Sequence, residues 1–405
     1  MTIVSEPRLS KRAESLGTEN AFVVLGEVAK LQAAGKDVLS FCIGQPDFPT
    51  PDNVCEAAIG AIRDGHHGYT PSPGIPALRE AVAGFFSRTR RIEVSPDEVV
   101  AGCGGKPFIA YTILSVTDHG AGHEVVYPNP GFPIYRSQIV AHGAVPVPLD
   151  LRESKGFNFD LDDLRAKVND NTRLVMLCSP GNPTGGVLGR EELEEIARIL
   201  EPYPECWVYS DEVYSGLAYD GEFESIAAVP GMRERTIIAD SASKTFAMTG
   251  WRVGYAANAK LAPVFTKWVT NTDSCPPHPN QWAVVEALNG SQEVPLAMRD
   301  EFYQRRDRIV DGLNTIPGTR CLKPGGAFYV WPNVSELCAM TGCADSEELR
   351  KRWLDEAGVA VLADVHFGTP VTEDGWHVRF SYASSIEAID AGLERVRNWV
   401  EANRK

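Results

Sequence analysis

A serine, a lysine and an arginine follow one apolar segment of the chain at short spacing. Ser241, Lys244 and Arg252 come after the run TIIAD. A desolvated lysine amine can form a Schiff base with an aldehyde, and a serine hydroxyl and an arginine guanidinium suit a phosphate group. A lysine on its own is most often solvated at the surface. Because this one directly follows a predicted buried strand, the spacing indicates a nucleophilic lysine beside an anion site.

Three further apolar segments end in glycines or polar side chains. DEVVAGC, TRLVMLC and ECWVYS precede, in turn, Gly104, Gly105 and Lys106, then Asn182, then Asp211 and Tyr214. Glycines before a helix N-terminus expose N–H groups to a phosphate, and a carboxylate can keep a pyridine nitrogen protonated. An amide and a phenol can hydrogen-bond a phenolic oxygen. Each residue could instead be a turn former, a cap or an ion-pair partner, but the whole set suits pyridoxal 5'-phosphate.

The elements that carry these residues follow one recurrent pattern. Between about Asp97 and Asn258, apolar runs of four to seven residues alternate with helical segments. Such runs are typical of strands buried on both faces, and their alternation with helices indicates a mainly parallel sheet. Ligands of these sheets bind beyond the carboxyl ends of the strands. The predicted fold class is therefore α/β, with the candidate residues at the binding edge of the sheet.

A different pattern begins near Val294. A charged amphipathic helix, LAMRDEFYQRRDRIVDGL, precedes short apolar segments and a closing helix, for which Ser384 and Glu387 form a candidate capping box. We therefore predict an N-terminal arm and first segment of a small domain at 1–49. A large cofactor-binding domain would span 50–293, and a smaller α+β domain would span 294–405.

The composition argues against several classes of function. The 405 residues are 43% hydrophobic and carry a formal net charge of −15, which disfavours nucleic acid as a partner. The nine cysteines form no C-x-x-C pair and the histidines show no ligand spacing, so we expect neither a disulfide framework nor a metal site. The first residues lack the apolar run of a signal peptide, and no segment suits a membrane helix. We expect a cytoplasmic protein with no membrane partner.

Six motifs resemble those of class I/II aminotransferases, the aspartate aminotransferase family of fold type I. They run in order through nearly the whole chain: IGQPDFPTP (43–51), GYTPSPGIPALREA (68–81), PGNPTGG (180–186), YSDEVY (209–214), SASKTFAMTGWRVGY (241–255) and VRFSYA (378–383). The resemblance implies a pyridoxal-phosphate enzyme that moves an amino group between an L-amino acid and a 2-oxo acid. It also implies a seven-stranded, mainly parallel sheet in the large domain.

The resemblance assigns cofactor contacts residue by residue. Lys244 would hold the cofactor and later move a proton, and Asp211 would pair with the ring nitrogen. Phe132 resembles an aromatic that stacks on the ring, and Tyr135 stands near the aspartate where some members have histidine. The other implied contacts are Tyr214 and Asn182 with the phenolic oxygen, and Gly104, Gly105, Ser241 and Arg252 with the phosphate.

Two further assignments concern the substrate and a second subunit. Arg379 resembles an arginine that grips the substrate α-carboxylate, with help from Asn182 and the backbone of Gly44. Tyr69 resembles a tyrosine that reaches the phosphate of the neighbouring subunit, which implies a homodimer with shared sites.

The sequence alone does not decide whether the substrate side chain is acidic or neutral. In one branch of the family an arginine before a Ser-Asn-Pro-Pro turn binds a distal carboxylate, but this chain has Thr270 near that place, before Ser274-Cys275-Pro276-Pro277. In another branch a lysine directly after the Gly-Gly loop does so, and Lys106 stands there, where it could also serve the cofactor or be solvated. We expect aspartate or glutamate as donor and 2-oxoglutarate as acceptor. An aromatic or broad donor, a β-lyase reaction on the same cofactor, and a regulator with an aminotransferase-like domain are the alternatives.

Overall fold

An eight-stranded sheet is the framework that positions the candidate residues in the computed structural model, which describes residues 7–405. The first six residues of the predicted arm lie outside the described residues. The strands are β1 (Leu39–Ser40), β2 (Val99–Gly102), β3 (Glu124–Asn129), β4 (Val145–Arg152), β5 (Asn158–Phe159), β6 (Thr172–Cys178), β7 (Trp207–Asp211), β8 (Thr236–Ser241), β9 (Gly254–Ala257), β10 (Tyr329–Val330), β11 (Val359–Ala360), β12 (Leu362–Ala363) and β13 (Val378–Ser381).

The large sheet is mainly parallel, as the alternation of strands and helices predicts. Its order is β2-β9-β8-β7-β6-β3-β4-β5. Strands β2, β8, β7, β6, β3 and β4 run in one direction, and β9, between β2 and β8, is antiparallel to both of these neighbours. These are the seven strands that the resemblance implies, and the α/β fold class is confirmed. The two-residue β5 adds a short antiparallel edge strand beside β4.

Helices cover both faces of this sheet, and further helices pack in the N-terminal and C-terminal parts of the chain. They are α1 (Lys11–Glu14), α2 (Asn20–Ala33), α3 (Asp52–Arg63), α4 (Pro76–Arg90), α5 (Lys106–Val116), α6 (Ile134–Ala141), α7 (Leu161–Lys167), α8 (Arg190–Leu200), α9 (Ala242–Thr245), α10 (Ala262–Thr272), α11 (His278–Asn289), α12 (Glu293–Asn314), α13 (Ser335–Thr341), α14 (Ser346–Arg352) and α15 (Ile386–Asn403). Among residues 7–405, no helix combines the length and the apolar character needed to cross a membrane.

Strand β6 shows why the apolar runs are unbroken. Leu174 and Met176 belong to the core that contains residues of α5, α6 and α10, whereas Val175 and Leu177 belong to the core that contains residues of α7 and α8. Successive side chains of a strand point to opposite faces, so a strand covered on both sides needs apolar residues at every position.

A second core forms mainly from the C-terminal part of the chain. It joins α12 and α15 to the antiparallel sheet β10-β13-β12, and it also contains Phe41 and Tyr214. Strand β1 pairs in parallel with β11, so the N-terminal segment contacts this part of the molecule. The predicted division at 49 and 293 stays a prediction.

The cap of the closing helix differs from the sequence-based expectation by one residue. Helix α15 begins at Ile386, and the hydroxyl of Ser385, rather than Ser384, accepts a hydrogen bond from the N–H of Ala388 at 3.2 Å. The two adjacent serines are equivalent as capping residues.

Candidate active site

A cavity of about 470 Å³ lies where the carboxyl ends of the parallel strands meet. Most of the candidate residues line it, namely Gly44, Gly105, Lys106, Phe132, Tyr135, Asn182, Asp211, Tyr214, Ser241, Lys244, Arg252 and Arg379. Because parallel strands end at the same edge, residues more than a hundred positions apart in the chain are brought together there. Tyr69 stands apart at the surface, where it is 90% exposed.

Lys244 lies on the short helix α9, directly after β8. The hydroxyl of Ser241 caps this helix by accepting a hydrogen bond from the N–H of Ser243 at 3.3 Å. The ammonium of Lys244 donates to the carbonyl of Gly44. Burial lowers the pKa of Lys244 to about 8, and the carboxylate of Glu19 partly opposes this shift. About a tenth of the amine is therefore neutral, and nucleophilic, at pH 7, far more than for a lysine with the ordinary pKa.

Asp211 ends strand β7 on the floor of the cavity. It accepts a hydrogen bond from the hydroxyl of Tyr135 at 2.6 Å and a longer one, 3.4 Å, from the N–H of Val213. Burial raises the pKa of Asp211 to about 6, although both hydrogen bonds favour the ionised form. A desolvated carboxylate gains most from a cationic partner. The site thus fits a protonated ring nitrogen.

Tyr214 is paired with a residue that the sequence analysis did not single out. Its hydroxyl lies 2.8 Å from the hydroxyl of Tyr329, and the two rings meet edge to face. Gly44 makes room for this pair, because a Cβ there would lie 2.0 Å from the Tyr329 oxygen. The segment around Tyr329 indicates a strand, and its spacing contains no signal for a site residue.

Arg379 lies on β13 with its guanidinium at the cavity, and the residue is only 3% exposed. It donates to the side-chain oxygen of Asn182 at 2.8 Å and to the carbonyl of Cys42, and it stacks over the ring of Tyr329 at 4.3 Å. Its Nε is buried and has no hydrogen-bond partner within the described part of the chain. A buried cation without a carboxylate partner fits a bound anion.

The Gly-Gly loop forms the N-terminus of α5. Gly105 caps the helix, and Gly104 has a φ of +92°. A Cβ at Gly104 would lie 2.2 Å from a guanidinium nitrogen of Arg252, so glycine is needed for the arginine to approach. The N–H groups of a helix start beside an arginine make a site that fits a phosphate.

Two residues from the predicted N-terminal arm also line the cavity. Glu19, at the start of α2, forms an ion pair with Lys106, and Phe22 lies one turn further on. The ammonium of Lys106 lies 5.3 Å from the centre of the Phe132 ring. Glu19 is separated from Lys106 by 87 residues. The sequence contained no local signal for this contact.

Comparisons with known proteins agree with this geometry. Residues 36–396 match the model of the family described as aminotransferase class I and II. The chain belongs to this family. It is 37% identical to the aspartate aminotransferase of Bacillus sp. (strain YM-2) over 397 residues, which cover 97% of this chain and 99% of the relative. This membership favours transamination over the lyase and regulatory alternatives.

Solved aminotransferase structures have the same fold as this one. The aspartate aminotransferase from Rhizobium meliloti superposes with a TM-score of 0.92 at 30% identity, covering 98% of this chain and 100% of that one. The aspartate aminotransferase from Thermus thermophilus, solved with maleate, has a TM-score of 0.90 at 33% identity, covering 97% and 99%. The enzyme is thus a transaminase. Its similarity to these aminotransferases extends over nearly the full chain.

A buried ion-pair network supports the floor of this aminotransferase cavity. Arg90 donates to Glu212 at 2.8 Å and to Asp240 at 2.6 Å, and a hydroxyl of Ser215 also accepts from it at 2.8 Å. Glu212 directly follows Asp211, and Asp240 directly precedes Ser241. Arg90 therefore joins the ends of β7 and β8, the two strands that carry Asp211 and Lys244.

Proposed function

We propose that this aminotransferase uses pyridoxal 5'-phosphate to move an amino group between aspartate or glutamate and 2-oxoglutarate. The observation that carries the proposal is one cavity in which Lys244, Asp211 and Arg379 meet. These three groups can serve an aldehyde, a ring nitrogen and a carboxylate, which is the combination that transamination of an amino acid requires.

The residues around Lys244 fit the proposed cofactor. Gly104, Gly105, Ser241 and Arg252 would hold its phosphate, Phe132 would stack on its ring, and Asn182 and Tyr214 would contact its phenolic oxygen. Asp211 would keep the ring nitrogen protonated. When bound, the cofactor supplies an aldehyde that takes up the amino group and a ring that delocalises negative charge. The raised pKa of Asp211 and the unpartnered Nε of Arg379 support this fit.

Lys244 has two tasks in this proposal. Its neutral amine would attach the cofactor, and once the amino group of the substrate had displaced it, the same amine would accept the proton from the substrate Cα and later donate that proton back. Both tasks need the neutral amine, and burial provides it by lowering the pKa to about 8. Arg379 would hold the α-carboxylate so that the Cα–H bond faces this amine.

Lys106 supports the choice of an acidic side chain. Its ammonium lines the same cavity as Arg379, so one substrate could place its two carboxylates on the two cations. The Bacillus and Rhizobium relatives are named aspartate aminotransferases, and the Thermus relative was solved with maleate, a dicarboxylate. The pairing of Lys106 with Glu19 favours a second candidate, a neutral or aromatic donor, because the pair leaves no free cation at this place.

A homodimer is part of the proposal. Tyr69 is 90% exposed in the single chain. This exposure is expected of a residue that contacts a second copy of the chain. If Tyr69 reaches the phosphate of a neighbouring subunit, the protein should sediment as a dimer or larger, and Tyr69→Phe should retain the cofactor less well. A fully active monomer in sedimentation would refute this arrangement.

The proposed function is tested by a half-transamination screen. Holoenzyme is mixed with single amino acids, and loss of its visible absorbance reports amino-group transfer; borohydride treatment of the resting enzyme, followed by peptide mapping, locates the attachment site. We expect the fastest transfer from aspartate or glutamate and labelling of Lys244. Labelling of another lysine would refute the site, and a strong preference for phenylalanine, tyrosine or an aliphatic donor would refute the acidic substrates.

A further inference from the structure

The mouth of the cavity carries an ion pair whose acidic member, Glu19, has no role in the proposed reaction. Glu19 is the residue before α2, and its carboxylate binds the ammonium of Lys106. Both side chains remain partly exposed, 46% for Lys106 and 23% for Glu19. Both also line the cavity that contains Lys244 and Arg379. Glu19 thus occupies the position at Lys106 that a distal carboxylate of the substrate would need.

The chemistry of a transaminase makes this overlap consequential. Such an enzyme binds two different substrates in turn in one cavity, and their side chains can differ in charge. A substrate carboxylate at Lys106 would meet Glu19 as a like charge, which disfavours their simultaneous binding. A neutral side chain makes no use of the Lys106 charge, so the pair of Lys106 with Glu19 can stay formed while such a substrate is bound. The two kinds of substrate therefore need opposite states of the pair.

The surroundings of Glu19 allow the pair to open without loss of structure. Helix α2 is fixed by buried Val24 and Val28 and by the ion pair of Glu27 with Arg350 at 2.7 Å. Glu19 itself lies at the end of this helix, and its side chain makes no capping hydrogen bond. Rotation of one side chain can therefore release Lys106 while the helix stays in place.

We propose that Glu19 is a specificity-determining residue of this transaminase, a displaceable counter-ion for Lys106. It stays paired when a neutral side chain occupies the cavity and yields Lys106 to a substrate carboxylate. The inference rests on the proposed function, because it assumes that Lys106 faces the side chain of the substrate. Acidic substrates therefore compete with the carboxylate of Glu19, a group of the protein itself, for the ammonium of Lys106.

Glu19→Gln tests the proposal, because it keeps the size of the side chain and removes the charge. We expect KM for aspartate and for 2-oxoglutarate to fall about fivefold to tenfold, as for the loss of one competing charged contact, with kcat little changed. KM for a neutral donor such as alanine should stay the same or rise. Glu14→Gln, which removes the same charge from an exposed position of α1, should change none of these three KM values.

A second experiment combines Glu19→Gln with Lys106→Met in one protein. There, Glu19→Gln should no longer improve aspartate relative to alanine by more than about twofold, since the charge for which the two carboxylates compete is gone. The inference is overturned if Glu19→Gln leaves the aspartate-to-alanine ratio of kcat/KM within twofold of the wild type. It is also overturned if kcat/KM changes equally for both donors, because Glu19 would then act through Lys244 alone. Glu19→Ala repeats the test by truncation should Glu19→Gln not fold.

The same measurements separate this inference from the proposed function. If wild-type enzyme works on neutral donors and barely on aspartate, the acidic substrates are wrong. In that case, a higher ratio of kcat/KM for aspartate to kcat/KM for alanine in Glu19→Gln than in the wild type would still support the counter-ion role. If the wild type prefers aspartate and the ratio does not move, the acidic function stands and the counter-ion role fails.

Discussion

Two ion-pair systems of this aminotransferase border its cavity and differ in burial and in the number of partners that each cation has. Under the floor, Arg90 pairs with Glu212 and Asp240, and the three side chains are 1–3% exposed. At the mouth, Lys106 pairs with Glu19, and both side chains are partly exposed to solvent. Arg90 is held through several nitrogens at once, whereas Lys106 has a single carboxylate partner.

This difference separates two uses of charge in one site. The buried network has satisfied, directional hydrogen bonds, so it can hold the ends of β7 and β8 in one arrangement, and losing one member leaves other charges without partners. The exposed pair gains little net energy because water competes for both charges. Charge under the floor therefore stabilises the geometry of Asp211 and Lys244, and charge at the mouth can be exchanged for a substrate.

Removing the central cation of the buried network should have the largest effect. Arg90→Met leaves Glu212 and Asp240 buried without their counter-ion, and we expect the free energy of unfolding to fall by about 3–5 kcal/mol. Denaturant unfolding of the holoenzyme measures it. Arg308→Met is the matched control, because it breaks an exposed arginine pair with Asp390 and should change stability little. Equal effects of the two variants would remove the distinction between buried and exposed pairs.

The cavity floor should also dominate the rate. Asp211→Ala removes the carboxylate proposed to keep the ring nitrogen protonated, and we expect kcat to fall at least about 10²-fold, comparable to the loss of one strong electrostatic stabiliser. Steady-state kinetics at saturating cofactor measures the loss for both donors. Tyr135→Phe removes one hydrogen bond to this carboxylate and should cost less. A decrease under about tenfold for Asp211→Ala would mean that the ring partner lies elsewhere.

The mouth should affect selectivity rather than the rate with every donor. Lys106→Ala should lower kcat/KM for aspartate by about 2 kcal/mol, roughly 30-fold, the usual contribution of a charged hydrogen bond. A neutral donor such as alanine should be nearly unaffected. Parallel kinetics with the two donors distinguishes these outcomes. If both donors fall together, Lys106 serves the cofactor instead of the substrate side chain.

The smallest expected effect is that of Glu19 at the mouth on the pKa of Lys244. A pH titration of the apoenzyme tests it. The neutral amine of Lys244 is the reactive form, and burial lowers its pKa from the ordinary 10.5 to about 8. The rate of cofactor attachment should therefore rise about tenfold between pH 7 and pH 9 and then level off. Because Glu19 raises this pKa, Glu19→Gln should move the midpoint to lower pH. A midpoint near 10.5 would contradict the desolvation of Lys244.

Much of the fold and of the central site could be predicted from the sequence alone. The unbroken apolar runs of β6, β7 and β8 indicate strands that are buried on both faces, and their alternation with helices requires a parallel sheet. Parallel strands end at one edge, so Asn182, Asp211 and Lys244 had to lie near one another there. These inferences succeed because local patterns and strand direction are properties of short segments.

The tertiary structure alone decided the contacts between distant segments. Glu19 meets Lys106, Tyr329 meets Tyr214 beside Gly44, and Arg90 joins Glu212 to Asp240. The spacing of residues along the chain carries no information on such pairs, because it depends on how helices and loops from separate regions pack together. The sequence thus determined which groups could perform transamination at the floor of the cavity. The packing of α2 and of the C-terminal core determined what surrounds the substrate at its mouth.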